Sequence, residues 1–192
     1  MLRRAYAPLA TSLKHLPTTY RQFSLGCVKP LTESETRSAF VNCSKGEAKR
    51  LNVPRDLAER PWEDLDYFGW RDPQAPDRGY LVTVIDGRTY ALALRRPATA
   101  SWQARRGMCS ICLTPHSGGV ALMVAPRAGK AGKQGNSVGT YVCEDLACPL
   151  YVRGKKDVGA DRMHESLTVE RKVARMMANL EEFVGRVLTA EG

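Results

Sequence analysis

The apolar positions near the C-terminus recur every three or four residues, which is the period of a helix with one buried face. This pattern predicts a helix over Val169–Leu188, and Thr168 is a residue type favoured at a helix N-cap. The predicted buried face consists of Val173, Met176, Met177, Leu180, Phe183, Val184 and Val187. We expect this face to pack on the rest of the fold.

Two apolar runs in the middle of the chain have the length and composition of strands. They span residues 80–85 and 90–94, and Asp86-Gly87 lies between them. Both of these turn residues tolerate positive φ, so the pair predicts a β-hairpin. A further run at 120–124 predicts another strand.

Shorter elements precede the hairpin. Thr32 with Glu35, and Ser44 with Glu47, have the spacing of capping boxes that begin helices. Prolines at 54 and 61 then divide the chain, and we expect helical pieces over 55–59 and 62–67, the second ending at Gly69. The anchors that would pack these pieces are Trp62, Leu65, Phe68 and Trp70.

Residues 1–28 differ in composition from the rest of the chain. They carry four basic residues, no acidic residue and several serines and threonines. This composition is typical of an organelle transit peptide, and a disordered basic arm or an over-extended start would share it. We therefore leave residues 1–28 out of the predicted fold. A transit function would make the protein organellar.

Four of the six cysteines fall into two close pairs separated by thirty residues. The first pair is Cys109 and Cys112, and the second is Cys143 and Cys148. Four thiolates at such spacing are suited to one tetrahedral zinc ion. With all four positions filled by protein, the ion would stabilise the fold and would leave no position for a reacting molecule.

Three other interpretations of these cysteines are open. They can be buried free thiols, which are common core residues. Cys109 and Cys112 can be a redox pair, although no βαβ pattern surrounds them. His116 can replace one cysteine as a ligand, although its Pro-His-Ser-Gly-Gly context is typical of an exposed turn.

Composition narrows the class of protein. Hydrophobic residues make up 43% and charged residues 26%, as in ordinary globular proteins, and no run is long and apolar enough to span a membrane.

Cysteines at metal spacing indicate a reducing compartment, so we expect a cytoplasmic protein. The three histidines lie beside no nucleophile motif, and no paired carboxylates stand out, so we expect neither an enzyme nor a small-molecule substrate.

The formal net charge is +9, and no acidic residue lies between Arg96 and Glu144. Residues 125–139 in this interval form a glycine-rich basic stretch, which predicts a loop able to approach phosphates or carboxylates. A second basic stretch with one aromatic residue comes after the last cysteine. The predicted partner-binding residues are Arg127, Lys130, Lys133, Asn136, Tyr151, Arg153, Lys155 and Lys156. The alternative is a loop whose charges are merely solvated.

Together these patterns predict an α+β fold. Short N-terminal helices and a β-hairpin are followed by a treble-clef zinc finger and a C-terminal helix. We divide the chain into a basic leader at 1–28, a helix-plus-hairpin segment at 29–107 and a zinc-finger domain at 108–190.

The most specific part of the sequence resembles a known family. Cys109-Ser-Ile-Cys112, Gly-Asn-Ser-Val-Gly-Thr-Tyr, Cys143, and Cys148-Pro-Leu-Tyr-Val-Arg-Gly are similar to the FBP family of elongation factor G-binding proteins. These proteins have a C-terminal treble-clef zinc finger and are related to the FusB-type fusidic-acid-resistance proteins. The resemblance covers roughly residues 29–188. Before residue 108 the sequence departs from the FusB type, because a shorter segment replaces the expected helical bundle.

The resemblance implies a function. The four paired cysteines would be the zinc ligands, and the protein would bind elongation factor G and modulate its release from the ribosome. It would do so as a monomer and without catalysis. The alternative function is a general zinc protein that binds ribosomal RNA.

Overall fold

The computed structural model describes residues 28–98, 105–158 and 165–189. Its helices are α1 (Glu33–Ser38), α2 (Lys45–Arg50), α3 (Gly129–Lys133), α4 (Cys148–Val152) and α5 (Val169–Leu188), with 3₁₀ turns at Leu57–Glu59 and Trp62–Asp64. Its strands are β1 (Tyr67–Arg71), β2 (Arg78–Ile85), β3 (Arg88–Arg95), β4 (Arg105–Met108), β5 (Pro115–Pro126) and β6 (Ser137–Cys143). The predicted leader falls almost wholly outside these residues.

The six strands form one antiparallel sheet. Its order is β1-β2-β3-β5-β4, and β6 pairs with β5. The turn between β2 and β3 is Asp86-Gly87, with φ of 50° and 76°, so the predicted hairpin is confirmed. Strand β4 crosses the boundary that we placed between residues 107 and 108, and the domain division itself stays a prediction.

Both predicted capping boxes are present. Glu35 N–H donates to the Thr32 hydroxyl at 3.2 Å, and Glu47 N–H donates to the Ser44 hydroxyl at 3.1 Å. Each glutamate accepts a hydrogen bond from its own N-cap backbone, which completes the reciprocal pair. Helices α1 and α2 therefore begin where their sequences indicate.

The predicted helices over 55–59 and 62–67 are wrong in extent. Each shrinks to a three-residue 3₁₀ turn, and strand β1 begins at Tyr67 and includes Gly69. The physical reason is pairing with β2, because a short run rich in aromatic residues packs well on a pleated surface. The two prolines prevent longer helices on the N-terminal side.

Strands β1 and β2 separate two hydrophobic clusters. Alternate residues face opposite sides of the sheet, so Tyr67 and Leu81 belong to one cluster, and Phe68 and Tyr80 to the other. The first cluster contains the four paired cysteines and the buried face of α5. The second is an aromatic cluster beneath the N-terminal helices and turns, in which the Phe68 and Trp70 rings stack at 5.1 Å.

Helix α5 confirms the periodicity argument. Thr168 accepts a hydrogen bond from Arg171 N–H at 3.4 Å, and six of the seven predicted positions are buried. Met177 is partly buried against the same cluster. Within the described ranges, no helix combines the length and apolar character needed to cross a membrane.

The glycine-rich stretch at 125–139 is not one long loop, as the sequence suggested. Strand β5 continues to Pro126, helix α3 occupies the middle, and β6 begins at Ser137. A side chain at Gly132 would place its Cβ 1.8 Å from the Arg127 carbonyl oxygen. A glycine here therefore allows a compact turn.

Candidate metal centre

Sheet topology brings the two cysteine pairs together. Cys109 and Cys112 lie on the turn after β4, Cys143 ends β6, and Cys148 begins α4. Strands β4 and β6 both run antiparallel to β5, and they end opposite Pro115 and Val120, in the first half of that strand. The two pairs therefore meet at one end of the sheet despite their separation in sequence.

The spacing of the four sulfurs fits a tetrahedral zinc ion. All four Sγ atoms lie within 4.8 Å of one another. The distance is 3.6 Å from Cys109 to Cys148, and 3.5 Å from Cys143 to both Cys112 and Cys148. A regular tetrahedron with zinc–sulfur bonds of about 2.3 Å has edges of about 3.8 Å. The donor set and its size both suit one zinc ion.

The first cysteine pair also has the backbone donors that a thiolate needs. The N–H groups of Ile111 and Cys112 each donate to Cys109 Sγ at 3.4 Å. Leu113 and Leu146 have φ of 57° and 58°, which is uncommon for residues other than glycine. Each cysteine pair thus belongs to a tight turn that points its sulfurs inward.

The four clustered cysteines are buried, and their thiols can all be ionised together only when a cation lies between them. The four cysteine residues are at most 1% exposed. Hydrogen bonds from the neighbouring thiols, Cys112 first, hold the pKa of Cys109 below its ordinary value, whereas burial raises the pKa of Cys148. One thiolate among protonated neighbours is tolerable in this setting, but four thiolates require a cation between them.

His116 lies beside the cysteine cluster and outside the set of mutually close donors. It is 4% exposed, and its Nε2 is 3.2 Å from Cys143 Sγ. Its ring meets Tyr151 edge to face at 4.7 Å. A Cβ at Gly119 would come within 2.9 Å of Nδ1, so a glycine makes room for the imidazole. His116 therefore contacts a sulfur of the cysteine cluster and is buried, whereas the sequence context indicated an exposed turn.

The structure divides the predicted partner-binding residues between two ends of the β5–β6 hairpin. Val120 pairs with Cys143 at the cysteine end, and Pro126 pairs with Ser137 at the other. Six residue steps along a strand separate these ends by about 20 Å. Tyr151, Arg153, Lys155 and Lys156 lie at the cysteine end, and Arg127, Lys130, Lys133 and Asn136 lie at the α3 end.

Most of the cations at the cysteine end are engaged within the fold. Arg153 pairs with buried Asp66 through two hydrogen bonds of 2.5 and 3.1 Å. Lys155 pairs with Asp64 at 2.5 Å. These two pairs tie the segment after α4 to the chain just before β1.

Tyr151 and Lys156 share one acidic partner. The Tyr151 hydroxyl donates to Asp145 at 3.0 Å, and Lys156 forms an ion pair with the same carboxylate. Burial, followed by the charge of Asp145, raises the pKa of Tyr151. Both side chains therefore stabilise the turn between Cys143 and Cys148 through their contacts with Asp145.

At the α3 end, Arg127 is likewise structural. Its guanidinium donates to the carbonyl oxygens of Arg186 and Thr189 at 2.8 and 2.7 Å, which satisfies the C-terminal end of α5. Lys130, Lys133 and Asn136 are exposed. Neither lysine forms an ion pair with another residue of the described chain.

The sequence analysis did not predict the residues that pack the turn of the second cysteine pair against the sheet. Leu146 is fully buried, and a Cβ at Gly69 would lie 2.5 Å from Leu146 Cβ. A Cβ at Gly79 would lie 2.9 Å from a Leu146 methyl carbon. Glycines inside strands signal a close approach of another segment, so these two were the available indication.

Comparisons with known proteins agree with this geometry. The family model of the FBP C-terminal treble-clef zinc-finger matches residues 35–187. No curated protein sequence matches the chain.

The fold is also similar to a solved structure, that of the fusidic acid resistance protein FusC. The TM-score is 0.53 at 17% sequence identity, and the match covers 83% of this chain and 60% of the FusC chain. At that identity the likeness concerns the fold. The family match spans most of the sequence and includes all four clustered cysteines, and this chain belongs to the FBP C-terminal treble-clef zinc-finger family.

Proposed function

We propose that this protein is a non-catalytic, zinc-stapled binding protein that docks on elongation factor G and promotes its release from the ribosome. Membership of the FBP zinc-finger family supports this proposal. The fold similarity to a fusidic acid resistance protein supports a role of the same kind. The proposed role includes resistance-like protection of the factor.

The observation that carries the proposal is the cluster of four buried cysteines. We assign Cys109, Cys112, Cys143 and Cys148 as the ligands of one zinc ion. Four protein ligands leave no coordination position for water or substrate, so the ion suits a structural role. Zinc at this site would hold the β4–β5 turn, the end of β6 and the start of α4 in one rigid arrangement.

A rigid protein can shift the release equilibrium without chemistry. A ligand displaces an equilibrium by as much as its affinity differs between the two states. The protein must therefore bind the released factor, or a departing form of it, more tightly than the ribosome-bound ground state. Rigidity helps because little conformational entropy is lost on docking.

We assign the factor-contacting charges to α3 and the turn that comes after it. Lys130, Lys133 and Asn136 are exposed there. By contrast, Arg153 and Lys155 already have acidic partners inside the fold. Helix α3 is held at both ends by paired strands, so its cations are presented from a fixed backbone.

Titration of fluorescently labelled elongation factor G tests this assignment. We expect Lys130→Glu with Lys133→Glu to weaken binding roughly tenfold, mainly through slower association, because exposed interface charges steer encounter. The matched control is Lys29→Glu with Arg88→Glu, which reverses two exposed cations outside α3. Equal losses in both double variants would contradict the assignment to α3.

Release itself is measured with ribosomes that carry the labelled factor. The protein should accelerate factor dissociation, and the same protein stripped of zinc should not. If the intact protein binds neither the free factor nor its ribosomal complex, the proposed function is wrong.

A further inference from the structure

A broad groove of about 1120 Å³ is lined by none of the four clustered cysteines. Helix α2 forms one wall, and the end of β5 with α3 forms the other. Tyr80, Ala93 and Leu94 of strands β2 and β3 contribute to the lining between them. The groove is therefore separate from the site at which zinc is assigned.

Among the charged residues that line this groove, basic residues outnumber acidic ones. Its basic residues are Lys45, Arg50, Arg78, Arg95, Arg127 and Lys133, and its acidic residues are Glu47 and Asp72. Both acids are already held by hydrogen bonds within the protein. Glu47 accepts from Ser44 N–H at 2.8 Å, and buried Asp72 accepts from Asn52 and from the Tyr80 hydroxyl.

Two arginines stand directly opposite each other on neighbouring strands. Arg78 of β2 pairs in register with Arg95 of β3, and both are exposed. Cross-strand partners have Cβ atoms about 5 Å apart, and like charges at that spacing are destabilising. Such a pair is favourable when an anion lies between or above the two guanidinium groups.

The few acids near this pair do not neutralise it. Neither arginine forms an ion pair with a described residue. Hydrogen bonds from Ser44 hold the pKa of Glu47 below its ordinary value, with smaller contributions from Arg95 and Arg50. Glu47 therefore lies near Arg95 and Arg50, whereas Arg78 lies near the Tyr80 hydroxyl, which donates to Asp72. With six basic and two acidic residues, the lining keeps an excess of positive charge.

The lining also indicates what kind of anion fits. Tyr80 is the aromatic residue of the described lining, yet it is 2% exposed and its hydroxyl is occupied by Asp72. Protein interfaces depend on exposed aromatic and apolar anchors, and unpaired bases stack on exposed rings. A ligand held mainly through repeated phosphates needs neither.

We propose that this groove binds the phosphodiester backbone of a nucleic-acid strand without reading its bases. Arg78 and Arg95 form the centre of the contact, and Lys45 and Arg50 contribute from the α2 wall. Lys133 of α3 lines the groove and belongs to the proposed elongation factor G contact, but the four residues assigned here, Arg78, Arg95, Lys45 and Arg50, do not belong to that contact. The binding can therefore be tested without the factor.

Fluorescence anisotropy with a labelled single-stranded RNA of 20 nucleotides tests the proposal on the full chain. Each phosphate contact to a single strand contributes about 0.7 to the slope of log K against log salt. We expect Arg78→Gln with Arg95→Gln to lower that slope by about 1.4 and affinity by about 25-fold at 0.1 M salt. The pair Lys45→Gln with Arg50→Gln should reduce the slope in the same direction, which guards against a folding defect in the first variant.

The control is Arg88→Gln with Arg171→Gln, two exposed arginines outside the groove, which should change affinity less than about threefold. Single-stranded DNA of the same sequence shows whether the groove prefers the phosphodiester backbone of RNA or that of DNA. Comparable binding of both, or a preference for either one, supports the proposal. Equal losses in groove and control variants, or tighter binding of a polyglutamate peptide of equal charge, would overturn it.

Discussion

At the scale of single residues, Leu146 joins the metal centre to the sheet. It is fully buried, has positive φ, and lies between two of the clustered cysteines. It packs directly against Gly69 of β1 and Gly79 of β2. The absence of side chains on those glycines is what allows the turn to lie so close to the strands.

Gly69→Ala tests this contact. The new methyl carbon would lie 2.5 Å from Leu146 Cβ and 2.6 Å from its carbonyl oxygen, so backbone must move. Overpacking of this kind destabilises by about 1–3 kcal/mol, and we expect a loss of that size in the free energy of unfolding measured with denaturant.

Gly185→Ala is the matched control for that measurement. A Cβ there meets nothing within 4 Å, and the residue lies inside α5. The change should stabilise by about 0.5–1 kcal/mol, because glycine is unfavourable in a helix interior. A Gly69→Ala protein as stable as the parent would show that the turn is not held against β1.

Residue by residue, the sequence was most informative where the chemistry is local. The capping boxes and the Asp86-Gly87 turn depend on neighbours within four positions, and each forms as predicted. Asn42 shows the opposite case. The Asn42 side chain accepts a hydrogen bond from Ala93 N–H at 2.8 Å. It donates hydrogen bonds to the carbonyl oxygens of Ala93 and Pro126 at 2.9 and 3.1 Å. No local pattern marks a residue whose partners are so distant.

At the scale of elements, ion pairs connect the segment after α4 to the chain before β1. Arg153 and Asp66 have side chains that are 14% and 4% exposed, and they meet through two hydrogen bonds. Removing one member of a buried pair leaves an uncompensated charge. The sequence predicted Arg153 as a partner-binding residue because nothing in it showed Asp66 to be adjacent.

A double-mutant cycle measures that connection. Asp66→Ala should destabilise by about 3–5 kcal/mol because it leaves a buried guanidinium unpaired. Adding Arg153→Ala should recover part of the loss, which gives a coupling of about 1–3 kcal/mol. The measurement is the free energy of unfolding of both single variants and the double variant.

The exposed Arg60–Asp56 pair supplies the control cycle. It has a similar separation of 2.8 Å, but its side chains are 36% and 48% exposed. Exposed pairs contribute about 0.2–1 kcal/mol, so its coupling should be smaller. Equal coupling in the two cycles would mean that burial does not strengthen the Arg153–Asp66 pair.

At the scale of the whole molecule, the assigned zinc ion should control stability. The cysteine cluster lies within the larger hydrophobic core, together with α5 and the inner faces of the strands. Structural zinc contributes on the order of 10 kcal/mol to folding. Loss of the ion should therefore loosen the entire sheet and not merely one turn.

Stability should rise with pH while zinc is bound. Four thiolates in the folded protein bind no protons, whereas the unfolded thiols, with pKa near 8.5, bind up to four. Unfolding below that pH takes up protons, so stability falls as pH falls, by at most about 5 kcal/mol per pH unit. Thermal unfolding at pH 6, 7 and 8 with the zinc content of each sample checks the slope.

Cys143→Ser should abolish stoichiometric zinc and remove this pH dependence. Cys43→Ser is the matched control, because Cys43 is a half-buried thiol outside the cluster and burial raises its pKa to about 11. It should keep both the metal and the slope. Full zinc content in the Cys143 variant would contradict the ligand assignment.

Periodicity, turn chemistry and cysteine spacing were enough to predict the α+β class, the hairpin, α5 and a cluster of four cysteines suited to zinc. Each of these features is encoded by residues close together in the chain or by a ligand pattern that few structures satisfy. The pairing of β1 with β2, the partners of Arg127 and Arg153, and the alignment of Arg78 with Arg95 come from contacts between distant segments. Folding selects those contacts through total burial and charge compensation, and neither quantity can be computed from a local stretch of residues.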